Sequence, residues 1–169
     1  MAARLSAGIP SGSAVLAGPE LRCRQTAEAA GLTYTTDPAL AECDFGAWAG
    51  LSLEAVLTAW PDQAERWRHD INAAPHGGES IAQLCERVAG WLSVQAQARG
   101  YLVAITHAGV IRAAILSALK APLASFWAID VSPLAITELH SRTDGWALTR
   151  TNSAIVPPRP TAKPERAPR

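Results

Sequence analysis

Apolar residues form a short run at positions 102–105, and from residue 108 to 119 they recur with helical spacing. A run of four apolar residues is too short for a helix and is typical of a strand buried on both faces of a parallel sheet. The spacing that follows predicts an amphipathic helix. His107 is therefore expected at the carboxyl end of a strand and beside a helix N-terminus. Open α/β sheets bind their ligands there, and free N–H groups attract anions.

The N-terminal part of the chain shows the same alternation of strand and helix. Residues 13–17 are predicted to form a short strand. Gly18 and Pro19 are expected to supply the N-cap and first turn of a helix that Gly31 closes. A second strand is predicted over 32–35, where threonine and tyrosine are frequent.

The remaining elements follow from proline breaks, caps and turns. Ser80 and Gln83 have the spacing of a capping box and predict the start of the longest helix. The other predicted elements are short helices over 52–60 and 62–70, and strands over 134–139 and 146–150 that pair across a turn. Together these elements predict a three-layer α/β fold with a mostly parallel sheet flanked by helices.

Composition narrows the function classes. The chain has 169 residues, is 49% apolar and 18% charged, and has a formal net charge of zero, so nothing favours nucleic acid or an anionic membrane as partner. Three cysteines without a CxxC pair predict reduced thiols in a cytoplasmic protein. No pair of histidines or cysteines has metal-ligand spacing, so no metal is expected. The phosphate-binding and dinucleotide-binding glycine motifs are absent, and no cofactor is expected.

Four segments resemble, in order, motifs of the histidine phosphatase (phosphoglycerate mutase-like) superfamily. They are AGPELRCRQTAE at 17–28, AECDFGAWAG at 41–50, HGGES at 76–80 and THAGVIR at 106–112. The resemblance implies a phosphoglycerate mutase-like domain over residues 1–156, with a small lid at about 46–76. The proline-rich segment 157–169 has no apolar pattern and is expected to be a disordered tail.

The resemblance also implies roles for particular residues. Arg22 and His107 would bind the phosphoryl group, and Gly109 would let the backbone approach it closely. Glu42 would be the general acid, with Asp44 as competitor for that role. The residues alone leave other roles open. His107 could cap the following helix, Arg22 could be a solvated surface arginine, and Glu42 could be a solvated loop carboxylate. The expected partner is a small phosphorylated metabolite whose identity the sequence does not give.

One departure from the family pattern bears on activity. Family members open with a strand that ends in an Arg-His-Gly motif, whose histidine is the nucleophile. No histidine precedes His69 in this chain, so the nucleophile has no counterpart. Two explanations stay open. Either the sequence is an N-terminally truncated gene model of a phosphatase, or the protein is a pseudo-enzyme that binds a phosphorylated ligand without turnover.

The same departure affects the predicted sheet. In the family the missing strand lies beside the strand that ends at His107. Its absence is expected to leave strands 14–17 and 102–105 with unpaired edges or a gap, and exposed apolar edges recruit other chains. Self-association is therefore predicted.

Overall fold

A three-stranded parallel sheet forms the centre of the protein. The computed structural model describes residues 9–154. The strands are β1 (Ala14–Ala17), β2 (Thr35–Thr36) and β3 (Leu102–Ile105), in the order β2–β1–β3. The register joins each β1 residue to a β3 residue, from Ala14 opposite Leu102 to Ala17 opposite Ile105. The predicted α/β class with a parallel sheet and flanking helices is confirmed.

Five α-helices surround this sheet within residues 9–154. They are α1 (Leu21–Ala29), α2 (Leu53–Ala59), α3 (Pro61–His69), α4 (Ile81–Gln95) and α5 (Ala108–Leu119), and three short 3-10 turns lie at Pro38–Leu40, Gly46–Trp48 and Leu123–Ala128. The capping box predicted at the start of α4 is present. Ser80 Oγ accepts from the Gln83 backbone N–H at 3.2 Å, and Gln83 Oε1 accepts from the Ser80 N–H at 2.8 Å. Within residues 9–154, no helix is long and apolar enough to span a membrane.

The start of α1 differs from the prediction. Glu20, not Gly18, is the N-cap, because the Gly18 N–H donates to the Ile105 carbonyl at 2.9 Å and so continues the sheet pairing. The Glu20 carbonyl accepts the first bonds of the helix, from the N–H groups of Cys23 and Arg24. The extra residues of extended chain move Glu20 to the helix entrance. This shift has consequences for the site described below.

The second strand is also shorter than predicted. Gly31 closes α1 with φ of +68°, as expected, but the Leu32 N–H then bonds back to the Ala27 carbonyl. Leu32 therefore belongs to the helix C-terminus and not to a strand. Pairing with β1 begins only at Thr35.

The main core lies between α4 and α5. Most of its buried side chains come from one stripe on each helix, and Leu40, Cys43 and Phe126 complete it. Leu84 and Val88 on α4 and Ala113 on α5 have no solvent exposure at all. This packing fixes α5, and with it the position of His107 at its N-terminus.

A second, aromatic cluster anchors the segment that was expected to be a lid. Trp48, Trp67 and His76 pack edge to face or tilted, with ring centroids 4.7 Å apart for Trp48 and His76 and 5.8 Å for Trp67 and His76. Val56 of α2 and Ala64 of α3 are buried against it. Segment 46–76 thus has its own small core, and its role as a lid stays a prediction. The tail at 157–169 lies outside the described residues.

The last two strands form a separate sheet. β4 (Ile136–Arg142) and β5 (Gly145–Ser153) pair antiparallel across the predicted turn, as expected. They do not join the parallel sheet in the described part of the chain. The domain therefore contains two sheets of different type.

The expected gap between β1 and β3 is not present. The two strands pair directly over four residues, because both are short apolar strands of matching length. The two-residue strand β2 forms one edge of the sheet, and the longer unpaired edge is the far side of β3, where no strand of residues 9–154 is bonded. Self-association through this edge stays a prediction.

We predict that a single charge on β3 prevents such association. Ala104 is exposed on this otherwise half-buried strand, and a lysine on an edge strand opposes pairing with another chain. Size-exclusion chromatography should show an oligomer for the native chain and a smaller species for Ala104→Lys. Ala14→Lys, at an exposed position of the inner strand β1, serves as control. A monomeric native chain with a cooperative melt contradicts the prediction.

A second prediction concerns the buried imidazole of His76. Burial lowers the pKa of His76, with Asp44 opposing in part. The unfolded chain therefore takes up this proton at higher pH than the folded protein. The free energy of unfolding should therefore be unaffected by His76 above about pH 6.5, and it should fall as the pH drops below that value. Urea unfolding should be measured between pH 7.5 and 5.5, about one unit either side of the pKa of a free histidine. The free energy of unfolding should depend less steeply on pH in His76→Phe than in the native chain. His140→Gln, at an exposed position, should keep the native slope. Equal slopes in His76→Phe and the native chain refute the assignment.

Candidate functional site

Two helix N-termini meet at one end of the parallel sheet. β1 and β3 are neighbours and each is followed by a helix, so α1 and α5 begin at the same sheet edge. The N-cap of α1 is Glu20 and that of α5 is His107. Their side chains touch, with His107 Nε2 2.8 Å from Glu20 Oε2. The partial positive charges of both helices are thus directed at one place.

The hydrogen bonds of His107 define its tautomer. Arg22 Nε donates to His107 Nδ1 at 3.0 Å, so Nδ1 carries no proton in this arrangement. The proton is then on Nε2 and is donated to the Glu20 carboxylate. Cys23 Sγ lies 3.2 Å from the same Nε2. His107 is 7% exposed, so these contacts replace water around the ring.

Glu42 lies on the other side of the imidazole. Its Oε2 is 3.5 Å from His107 Nδ1 and 3.8 Å from an Arg22 terminal nitrogen. Its backbone N–H donates to Glu20 Oε1 at 2.9 Å. A Cβ atom on Gly109 would lie 2.8 Å from Glu42 Oε1. Glycine at 109 therefore leaves room for this carboxylate against the start of α5.

The structure brings together the residues that the sequence singled out as a site: Arg22, Glu42, His107 and Gly109. It also shows two neighbours that the sequence reasoning missed. Glu20 and Cys23 are three residues apart at the start of α1, a spacing that puts two side chains on one helix face. Their closeness to Arg22 in the sequence could have pointed to them. The side-chain nitrogens of Arg22 and His107 are thus in contact with carboxylates of the chain itself.

These contacts change the acidity of the groups. Burial alone would raise the pKa of the Glu20 carboxyl, but hydrogen bonds from the Glu42 N–H and from His107 outweigh it and lower that pKa. Burial and the nearby Glu20 charge raise the pKa of the Cys23 thiol. Glu20 is accordingly ionised at neutral pH, and the free thiol is not a ready nucleophile.

Arg87 of α4 holds the loop that carries Glu42, another role that the sequence reasoning missed. It makes a two-pronged ion pair with Glu79, with Nε and Nη2 each 2.8 Å from a carboxylate oxygen. Its Nη1 donates to the carbonyls of Ala39 and Ala41 at 2.8 and 3.1 Å. Such bidentate geometry requires arginine. The same pair holds the Glu79 side chain next to the loop.

The other histidines are not part of this cluster. His69 ends α3, His76 is in the aromatic cluster and His140 lies in β4. Arg112 donates to the Ile129 carbonyl at 2.8 Å and packs over the Trp127 ring. His107 is thus the one histidine of the chain at this sheet edge.

The four segments that carried the family resemblance thus meet at or near the carboxyl edge of a parallel sheet, where the structure places an arginine, an acid and a histidine together. The model of the histidine phosphatase superfamily (branch 1) matches residues 1–154. The chain therefore belongs to the histidine phosphatase superfamily, which confirms the resemblance of the four motifs.

Curated relatives include phosphatases. The chain is 28% identical over 124 residues to phosphoserine phosphatase 1 of Hydrogenobacter thermophilus, which covers 71% of this chain and 58% of the relative. It is 31% identical over 113 residues to glucosyl-3-phosphoglycerate phosphatase of Mycobacterium tuberculosis, covering 60% and 50%. The chain thus spans between half and three fifths of the length of these relatives.

Solved structures agree with the fold. The mycobacterial glucosyl-3-phosphoglycerate phosphatase in complex with inorganic phosphate has a TM-score of 0.75 at 25% identity, covering 91% of this chain and 83% of that one. Bacillus stearothermophilus YhfR has a TM-score of 0.79 at 18% identity, covering 90% and 81%. The second likeness concerns the fold alone.

Proposed function

We propose that this protein binds the phosphate group of a small phosphomonoester between Arg22 and His107, and that the 169-residue chain does not turn it over. The observation that carries the proposal is the contact between the N-caps of α1 and α5. Two helix N-termini, a guanidinium and an imidazole N–H converge there within hydrogen-bond reach of one another. Each is a group that binds oxyanions. The likeness to phosphatases of small phosphorylated molecules supports the substrate class.

Glu20 has to give way for such a ligand. Its carboxylate accepts the His107 Nε2 proton that a phosphate oxygen would otherwise accept. An anion and an ionised carboxylate a few ångströms apart repel each other. Glu20 is about a quarter exposed, so its side chain can turn towards solvent when a phosphate binds. The affinity for phosphate is therefore set by competition with Glu20.

Turnover requires a nucleophile that the chain does not contain. Family chemistry proceeds through a phosphohistidine, and His107 is the one histidine of this chain in the cluster. It is already held from both ring nitrogens. Without an attacking group the reaction cannot be divided into two easier steps. Glu42 would act as general acid only in a chain that also supplies that nucleophile.

We predict that phosphate and vanadate stabilise the EDTA-treated protein against heat. Ligand binding to the folded state alone raises the melting temperature by mass action. Arg22→Ala should weaken binding by about ten- to a hundredfold, the loss of a charge-assisted hydrogen bond. Glu20→Gln removes the competing charge but keeps an acceptor for the Glu42 N–H, and it should bind about tenfold more tightly.

Arg24→Ala is the matched control, because Arg24 is an exposed arginine on the same helix. It should keep the native response to phosphate, measured by differential scanning fluorimetry over a concentration series. A response to phosphate that is identical in native, Arg22→Ala and Glu20→Gln proteins would remove this cluster from anion binding.

We also predict that the chain hydrolyses p-nitrophenyl phosphate about 10⁴- to 10⁶-fold more slowly than an intact enzyme of the family, the usual cost of losing a nucleophile. The mycobacterial glucosyl-3-phosphoglycerate phosphatase, assayed in parallel, provides the reference. Turnover near that of the reference that is lost in His107→Ala would show that His107 itself serves as nucleophile. The proposal of binding without turnover would then be wrong.

A further inference from the structure

We infer that Glu20, Cys23 and His107 form a binding site for a zinc ion. One carboxylate oxygen, the thiol sulfur and an imidazole nitrogen lie within 4.8 Å of one another. The Cys23 and His107 side chains are buried, so the set is held by the fold. The expectation of no metal rested on spacing along the sequence. It could not detect ligands that lie 84 and 87 positions apart.

The ligand distances fit a closed, metal-free form of such a site. Zinc bonds of about 2.0–2.3 Å at tetrahedral angles separate sulfur from nitrogen by about 3.5 Å and nitrogen from oxygen by about 3.4 Å. The corresponding separations here are 3.2 Å and 2.8 Å. The sulfur therefore needs to move away from Nε2 by only about 0.3 Å, and the carboxylate oxygen by only about 0.6 Å, to accept the ion.

The surrounding groups can hold the ligands in their bound form. When zinc binds Nε2, the imidazole proton must lie on Nδ1, and Glu42 Oε2 at 3.5 Å is the acceptor for it. A carboxylate behind a metal-bound histidine orients the ring in this way. Glu20 keeps its bond from the Glu42 N–H through the oxygen that does not bind the metal. Arg22, 65% exposed, has to leave Nδ1 and can turn towards solvent.

Charge and ligand type favour zinc over magnesium or calcium. A thiolate and an imidazole are soft ligands that the hard cations avoid. One thiolate and one carboxylate neutralise the two charges of Zn²⁺, and a thiol that coordinates a metal ion loses its proton to it. Binding forms Zn–S, Zn–N and Zn–O bonds and releases one proton, that of the Cys23 thiol, because the imidazole only exchanges tautomers. Three protein ligands leave a fourth position for water.

Cobalt titration of the reduced, metal-free protein tests the inference in the absence of phosphate. We expect one Co²⁺ per chain, with a thiolate-to-cobalt charge-transfer band in the near ultraviolet that zinc abolishes by displacement. The band should be lost in Cys23→Ser and kept in Cys85→Ser, which alters a buried thiol of the main core. Glu42→Gln should weaken binding about ten- to a hundredfold. Absence of the band in the native protein, or its retention in Cys23→Ser, overturns the inference.

Two further measurements keep the test decisive. If Cys23→Ser fails to fold, alkylation of the native protein provides the test, with the modified cysteine located by mass spectrometry. Zinc should then protect Cys23 from alkylation, and Glu20→Gln should reduce that protection. Alkylation of Cys23 at the same rate with and without zinc refutes the site. Arg22→Ala separates the two proposals, since it should reduce phosphate binding and leave zinc binding equal or tighter. Loss of the zinc response with an intact phosphate response overturns only the metal site.

Discussion

The contact between Glu20 and His107 depends on the parallel pairing of β1 with β3. Because these strands are neighbours in register, the helices that follow them start side by side at one sheet edge. Because Gly18 is hydrogen-bonded to Ile105 in the sheet, α1 begins later than predicted and Glu20 is its N-cap. A single backbone bond therefore decides which side chain faces the histidine. The packing of α4 on α5 then fixes the histidine itself.

The resulting cluster contains more acidic than basic side chains around the histidine. Glu20 and Glu42 both face His107, and Arg22 provides the one permanent positive side chain among the described contacts of the ring. On the two proposals, the same arrangement would accept an anion when Glu20 turns away, or a cation when Cys23 ionises. The position of Arg22 would then favour one ligand over the other, because its hydrogen bond to His107 Nδ1 blocks the histidine tautomer that a metal needs.

Much of this fold could be predicted from local sequence signals. The bounds of α2 and α3 follow from Pro61, and the start of α4 follows from its capping box, because caps and prolines act over a few residues. The order of the strands and the direct pairing of β1 with β3 could not be predicted this way, since pairing is decided between distant segments. Arg22, Glu42 and His107 were recognised through family motifs. Glu20, Cys23 and Arg87 were not, because their roles arise from contacts across many residues.

The hydrogen bonds from Arg87 to the loop that carries Glu42 make the position of this loop depend on the stability of α4. The guanidinium joins the carbonyls at Ala39 and Ala41 to Glu79, just before the start of α4. The loop has little regular structure of its own, so its protection from hydrogen exchange depends on α4 remaining folded. Loop and helix should consequently open as one cooperative unit, and Glu42 should leave the site whenever the N-terminal half of α4 unfolds.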